Sequence, residues 1–194
     1  MNLPPLILAS SSPRRSELLR SLGLAFTIVP SDAAEIHTEE LTVTEISQLN
    51  AYRKARAVAK KFPDALVLGA DTLVALDTTL FGKPVNLEDA RGMLEQLQGR
   101  THRVVTGVCL VHLRAHRQKL FADATDVTFR PLNTRQIHDY LAHINPLDKA
   151  GAYAIQEGGD KIVETISGSF SNVVGLPVER LGAELALWEQ VPPL

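Results

Sequence analysis

The chain has 194 residues, 45% hydrophobic and 22% charged, with a formal net charge of -2. That length fills one core, or two lobes sharing one, and we read residues 1–194 as a single domain. A slightly acidic chain offers no global field to long nucleic acid, and no apolar run approaches the roughly 20 residues that span a bilayer, so a membrane partner is not expected. The single cysteine, Cys109, lies in an apolar run, as a buried thiol in the reducing cytoplasm would.

Residues 6–23, LILASSSPRRSELLRSLG, read as strand, polar loop, helix and terminating glycine. The loop gathers serine hydroxyls, backbone N–H groups, the positive end of a helix and the charges of Arg14 and Arg15, which together suit a phosphate. It has neither the Walker A nor the dinucleotide pattern, and similar serine-bearing turns are common in α/β proteins that bind no anion there. A second strand over 26–29 and an acid-bearing polar segment over 30–40 follow.

Thr42 and Glu45 have capping-box spacing and open a helix to about Lys60, with Ile46, Leu49, Ala55, Val58 and Phe62 as inward positions. Its charges, Arg53, Lys54, Arg56, Lys60 and Lys61, read as a solvated face unless a partner elsewhere singles one out. Such a partner is offered by residues 65–70, ALVLGA, which read as a strand buried on both faces and ending at Asp71 and Thr72. Carboxylates at the carboxyl ends of buried strands are where α/β sheets commonly place chemistry. A short strand over 73–76, a turn, and Phe81-Gly82-Lys83-Pro84 come next, the glycine and proline holding Lys83 in a defined loop.

Asn86 and Asp89 cap a helix with Leu87, Ala90, Met93, Leu94 and Leu97 on its apolar side and Gly99 as its stop. Residues 101–113 and 120–129 read as an antiparallel pair, which makes the sheet mixed. His112 and His116 flank a strand end and a turn there, not a helix face, so they do not read as a metal pair. A helix from Asn133 or Thr134 to Ile144 precedes a loop over 145–156, a strand over 161–166, a polar loop over 168–172, and a last helix opened by Pro177 and carrying Leu181, Leu185 and Trp188. Serines and arginines in one loop, two lysines in separate contexts and a strand-end Asp suggest a polyphosphate bound with a divalent metal.

Taken in order, SSSPRR with SELLRSLG, RKARA, GADTLV, FGKP, TGV, PLDKAGAYAIQ and SGSFSNVVGLP resemble the Maf family of nucleoside triphosphate pyrophosphatases, once called septum formation inhibitors, over nearly the whole chain. The resemblance implies an α/β fold like that of inosine triphosphate pyrophosphatase: a long twisted mixed sheet, flanking helices, and two lobes around a central cleft. It implies hydrolysis of a nucleoside triphosphate to monophosphate and pyrophosphate with a divalent cation, Mg or Mn, and a possible homodimer. By motif, Asp71 is similar to the family's proton acceptor, with Glu35 and Asp71 on the metal. Glu35 lies in the segment that matches the family least closely. Ser10, Arg14, Arg15, Lys54 and Lys83 resemble its phosphate-binding set. Arg14, Thr72 and Gln156 resemble the subgroup acting on dTTP and UTP, not the one acting on 7-methyl-GTP. The alternatives are that second subgroup, and a nucleotide-binding regulator of cell division with little catalysis, against which Asp71, Lys54 and Lys83 argue. Single-stranded nucleic acid is disfavoured because the few aromatics are not interleaved with basic loops.

Overall fold

Three long strands organise the computed structural model, which describes residues 3–38 and 40–190; Glu39, in the acid-bearing segment, and both chain ends lie outside the described residues. They are β3 (Leu66–Leu76), β5 (Thr101–His112) and β6 (Arg117–Phe129), introduced by β1 (Leu6–Leu8) and β2 (Phe26–Ile28) and joined by β4 (Thr79–Phe81) and β7 (Val163–Ser167). The sheet order is β2-β1-β3-β5-β6-β7, with β4 paired to β3. β1 runs parallel to both β2 and β3, whereas β4 is antiparallel to β3 and β7 to β6, so the sheet is mixed as expected. β5 and β6 are neighbours joined by four residues, a connection that only antiparallel strands permit.

Local chemistry explains the helices. α1 (Pro13–Ser21) starts on proline, whose fixed φ and missing N–H suit a first helical position, and stops where Gly23 turns left-handed at φ 69° and donates its N–H to Arg20 O. α2 (Val43–Ala59) opens on the full Thr42/Glu45 capping box, and α4 (Thr134–Leu141) on its Asn133/Gln136 counterpart. Between them Asn86 caps α3 (Leu87–Leu97) by accepting from Asp89 N at 2.8 Å. Two 3₁₀ turns (Pro146–Asp148 and Ala150–Ala152), α5 (Gly159–Ile162), α6 (Phe170–Val174) and α7 (Val178–Gln190) complete the described chain. None of these helices is long and apolar enough to cross a membrane.

The residues group into two compact units. The first holds the described residues up to Asp71, Thr106–Asp123 and those from Gly175 onward. Its inner strands are buried on both faces: Leu6, Leu8, Leu66 and Leu68 pack with Leu110, Leu181 and Trp188, while Ile7 and Val67 pack with Ala51, Ala55, Val58 and Cys109. The second unit, Thr72–Val105 and Ala124–Val174, has its own core around Leu94, Leu97, Phe129, Ile137, Tyr140 and Tyr153.

Four expectations need correction. β3 is one continuous strand, so Asp71 is an interior strand residue and not a strand-end one; the polar Asp-Thr pair interrupts the apolar run without interrupting the ladder. Lys161 and Ile162 belong to α5, and the strand begins at Val163. Residues 170–174 wind into a short helix, where Ser169 Oγ accepts from Asn172 N at 3.2 Å. Phe62 lies past the end of α2 and is 41% exposed, while Ser47, Asn50 and Ala51 are buried in its place.

Candidate active site

The inward stripe of α2 is made of small residues because the helix rests directly on strand backbone. A methyl group added at Gly69 would lie 2.3 Å from Ala51 O and 2.7 Å from Ala55 N, and one at Gly107 would lie 2.3 Å from the carbonyl carbon of Ser47. Only glycine permits that approach. Along β3, alternation sends Val67, Gly69 and Asp71 to the α2 side and Leu66, Leu68 and Ala70 to the other. Asn50 and Lys54, four apart on the same helix face, are thereby brought onto Asp71.

Asp71 is 3% exposed and both its oxygens are engaged: Lys54 Nζ donates to Oδ1 at 2.6 Å and Asn50 Nδ2 to Oδ2 at 3.0 Å. The same ammonium donates to Glu35 Oε1 at 2.7 Å, so Lys54 lies between two carboxylates. Glu35 stands in an irregular segment that α2 holds by its backbone. Arg53 Nε donates to Ala34 O at 3.2 Å, and the Asn50 amide both accepts from Ile36 N at 2.8 Å and donates to Ile36 O at 3.2 Å. Arg53, read from sequence as solvated charge, is exposed as expected and also bonds Ala34 O, and Lys54 has a partner elsewhere that singles it out.

The serine-arginine loop belongs to the same unit. Ser10 Oγ accepts from Ser12 N at 3.2 Å and from Arg15 Nη1 at 3.3 Å, and Arg15 Nε donates to Gly175 O at 2.9 Å. Burial lowers the Arg15 pKa, and Arg14 pushes the same way; Asp71 and Glu35 oppose them. The guanidinium keeps its charge regardless. Arg14 precedes it in the first turn of α1.

Thr72, Lys83 and Gln156 belong to the second unit. Strand alternation gives Thr72 the opposite sense to Asp71. Lys83 is exposed between buried Phe81 and buried Pro84, and Gly151 N donates to Gly82 O at 3.0 Å, linking its loop to the segment that leads to Gln156. Gln156 is the exposed residue after a buried run over 151–155. Tyr140 fastens that run, its hydroxyl donating to Ala154 O at 3.0 Å and accepting from Ala154 N at 3.1 Å. The buried Lys149 ammonium reaches Asn145 O at 2.7 Å, Asp148 Oδ1 at 2.9 Å and Glu157 Oε1 at 3.6 Å.

A family model described as Maf-like protein matches residues 5–188. The chain belongs to the Maf-like family. A Maf-like relative from Akkermansia muciniphila named dTTP/UTP pyrophosphatase is 44% identical over 91% of this chain and 92% of its own. Relatives with the same name from Geobacillus sp. and Bacillus velezensis are 45% and 46% identical, covering 93% and 90% of this chain and 96% and 92% of theirs. Among solved structures, the Ham1 protein of Staphylococcus aureus superposes with a TM-score of 0.53 at 13% identity, over 95% of this chain and 99% of that one. That likeness shows the fold alone, and it is the fold type that the sequence resemblance implied.

Of the residues singled out in this Maf-like sequence, Ser10 and Arg15 meet each other, as do Glu35, Lys54 and Asp71. Asn50 was not singled out. Its signal was an amide four residues before Lys54 on a stripe otherwise made of small and apolar side chains.

Among the described residues no group of three or more His, Cys, Asp or Glu converges as a metal cage. Two carboxylates sharing one ammonium form a hard oxygen pair, which fits a magnesium-like ion that takes one or two protein carboxylates and fills its remaining positions with water and phosphate oxygens.

Proposed function

We propose that this chain hydrolyses dTTP and UTP to the monophosphate and pyrophosphate. The observation that carries the reading is 44–46% identity, over nine tenths of the chain, to several relatives named dTTP/UTP pyrophosphatase. The buried Asp71-Lys54-Glu35 group supports it.

In this reading a water oxygen attacks the α-phosphorus, and Asp71 takes the water proton. The bond from that phosphorus to the α,β-bridging oxygen breaks, and its electron pair leaves with pyrophosphate. Lys54, Arg14, Arg15 and Lys83 offset the charge that builds on the transferring and departing groups. Ser10 holds the Arg15 guanidinium to the loop that feeds α1. Glu35 and Asp71 are the residues that would hold Mg or Mn, which as a Lewis acid neutralises phosphoryl oxygens. Gln156, with Arg14 and Thr72, reads the base: a neutral amide both donates to and accepts from a pyrimidine edge. The work belongs in the cytoplasm, in keeping with a Cys109 thiol that is buried, unbridged and pushed up to about 12 by desolvation.

The test is pyrophosphate release from dTTP, UTP, CTP, 7-methyl-GTP, GTP and ATP with magnesium or manganese, run beside Asp71→Asn. Turnover of dTTP and UTP that the substitution abolishes is the expected result. Preference for 7-methyl-GTP overturns the base assignment, and hydrolysis of none of them overturns the enzyme reading.

A further inference from the structure

Asn50 is 1% exposed, and its amide is fully used. One Nδ2 proton goes to Asp71 Oδ2 at 3.0 Å, the other to Ile36 O at 3.2 Å, and Oδ1 accepts from Ile36 N at 2.8 Å. The orientation of the amide is fixed by this pattern. Turned over, it would set Oδ1 against a carboxylate oxygen and a carbonyl oxygen, and Nδ2 against an N–H, leaving every contact repulsive.

Those bonds join two places far apart in sequence. Asp71 lies on β3, and Ile36 is the neighbour of Glu35 in a segment with no regular structure of its own. The helix beneath Asn50 cannot drift, because Ala51 and Ser47 touch the backbone at Gly69 and Gly107.

We propose that Asn50 is a positioning residue that yokes the two acid-bearing segments, fixing the Asp71 carboxylate plane and the Glu35 segment relative to one another. The role deepens the reading of Asp71 as proton acceptor and rests on it. Lys54 also bridges Asp71 and Glu35, but through a flexible stem and a freely rotating ammonium, whereas the short planar amide fixes angles as well as distances. Being neutral, it does so without altering the charge of the carboxylate pair. Leucine, similarly branched but bulkier and without polar atoms, would leave Asp71 Oδ2 and both polar groups of Ile36 without these bonds.

The experiment compares Asn50→Leu and the isosteric Asn50→Asp with the unaltered chain in three measurements: kcat and KM for dTTP, amide hydrogen exchange resolved to segment 31–38 and to the middle of α2, and the thermal midpoint. The expected result is a loss of kcat of about 100-fold with KM within about threefold, and Ile36 exchange faster by about tenfold or more, with the middle of α2 still protected. Should the leucine variant fail to fold, the aspartate variant carries the kcat and KM expectation, since it reverses the donor facing Asp71; its carboxylate still accepts from Ile36 N, so Ile36 exchange there stays within about threefold of the unaltered chain. Retention of more than about a third of kcat overturns the proposal. So does, in the leucine variant, a kcat loss with Ile36 exchange unchanged, or, in either variant, a kcat loss accompanied by loss of protection along α2. An Asp71→Asn arm separates the two readings: full turnover there removes Asp71 as proton acceptor, while the exchange data still decide whether Asn50 joins the segments.

Discussion

The two units hold their functional side chains in opposite ways. In the first, the side chains are bound to one another: Asp71, Lys54, Glu35 and Asn50 form one hydrogen-bonded set against α2. In the second, the segments that carry Gln156 and Lys83 are fastened while those two side chains are exposed. Tyr140 and Lys149 fasten the chain on either side of Gln156, and Gly151 fastens Gly82. The first arrangement suits groups whose charge and proton position must be set in advance. The second suits groups that must meet a variable ligand from a fixed place. In the proposed reading, chemistry and recognition would thus call for different kinds of rigidity within one chain.

That contrast breaks most visibly at Lys54. Lys54→Met leaves two carboxylates without their shared cation, and kcat for dTTP is expected to fall about 10³-fold, roughly 4 kcal/mol of barrier, in steady-state assays on folded protein. A fall of less than tenfold would mean that the bound set is structural only. Next comes Gly69→Ala, which forces a methyl into the backbone of α2. Denaturant unfolding should show a loss of about 3 kcal/mol, and wild-type stability would contradict the close seating of the helix. Lys149→Met probes the other unit by orphaning Asn145 O and freeing Glu157. We expect about 2 kcal/mol lower stability and a several-fold drop in the preference for dTTP over GTP, with kcat for dTTP within about threefold. Loss of kcat without loss of preference would erase the distinction between the units.

An effect on stability of similar size to that at Lys149 is expected as a pH dependence. His102 in the second unit is buried between Phe129 and Tyr153, its ring bonds the Tyr153 hydroxyl through Nε2 with Nδ1 unpartnered among the described residues, and its pKa is lowered by desolvation to about 4. A histidine whose folded pKa is depressed adds stability above its unfolded value, near 6.5, and that stability is lost as pH falls toward the folded value. Unfolding free energy should therefore drop by about 2 kcal/mol between roughly pH 7 and pH 5, and His102→Asn should flatten that drop. An unchanged slope in the variant would place the titration elsewhere.

What was legible in the sequence follows the range of the interactions. Capping at Thr42/Glu45, Asn86/Asp89 and Asn133/Gln136 spans three residues and is written locally, so the helix starts were readable. The ordered motifs carried the family and with it the fold, and they named the side chains that meet at Asp71-Lys54-Glu35 and at Ser10-Arg15. Asn50 was not readable, because an amide on an inward helix face looks like an isolated defect until β3 supplies Asp71, 21 positions on. The continuity of β3 was missed for a related reason. Asp-Thr within an apolar run resembles an edge of structure, and only α2, covering Asp71 with a lysine and an amide, makes a polar interior position tolerable. α4 ends at Leu141, three residues before the expected Ile144, and α5 follows the left-handed Gly158 where a strand was expected.

The glycines at 69 and 107 have one more consequence. Most helices are separated from their sheet by a layer of side chains, so every change of core volume is felt as a change of spacing. Here α2 touches the strands backbone to backbone, and the gap is set by atomic radii that no substitution elsewhere can alter. The reach from Lys54 to Asp71 is in that sense a fixed gauge. Exchanges among the leucines and valines around it would leave that spacing as it is, whereas a methyl group at 69 or 107 would not.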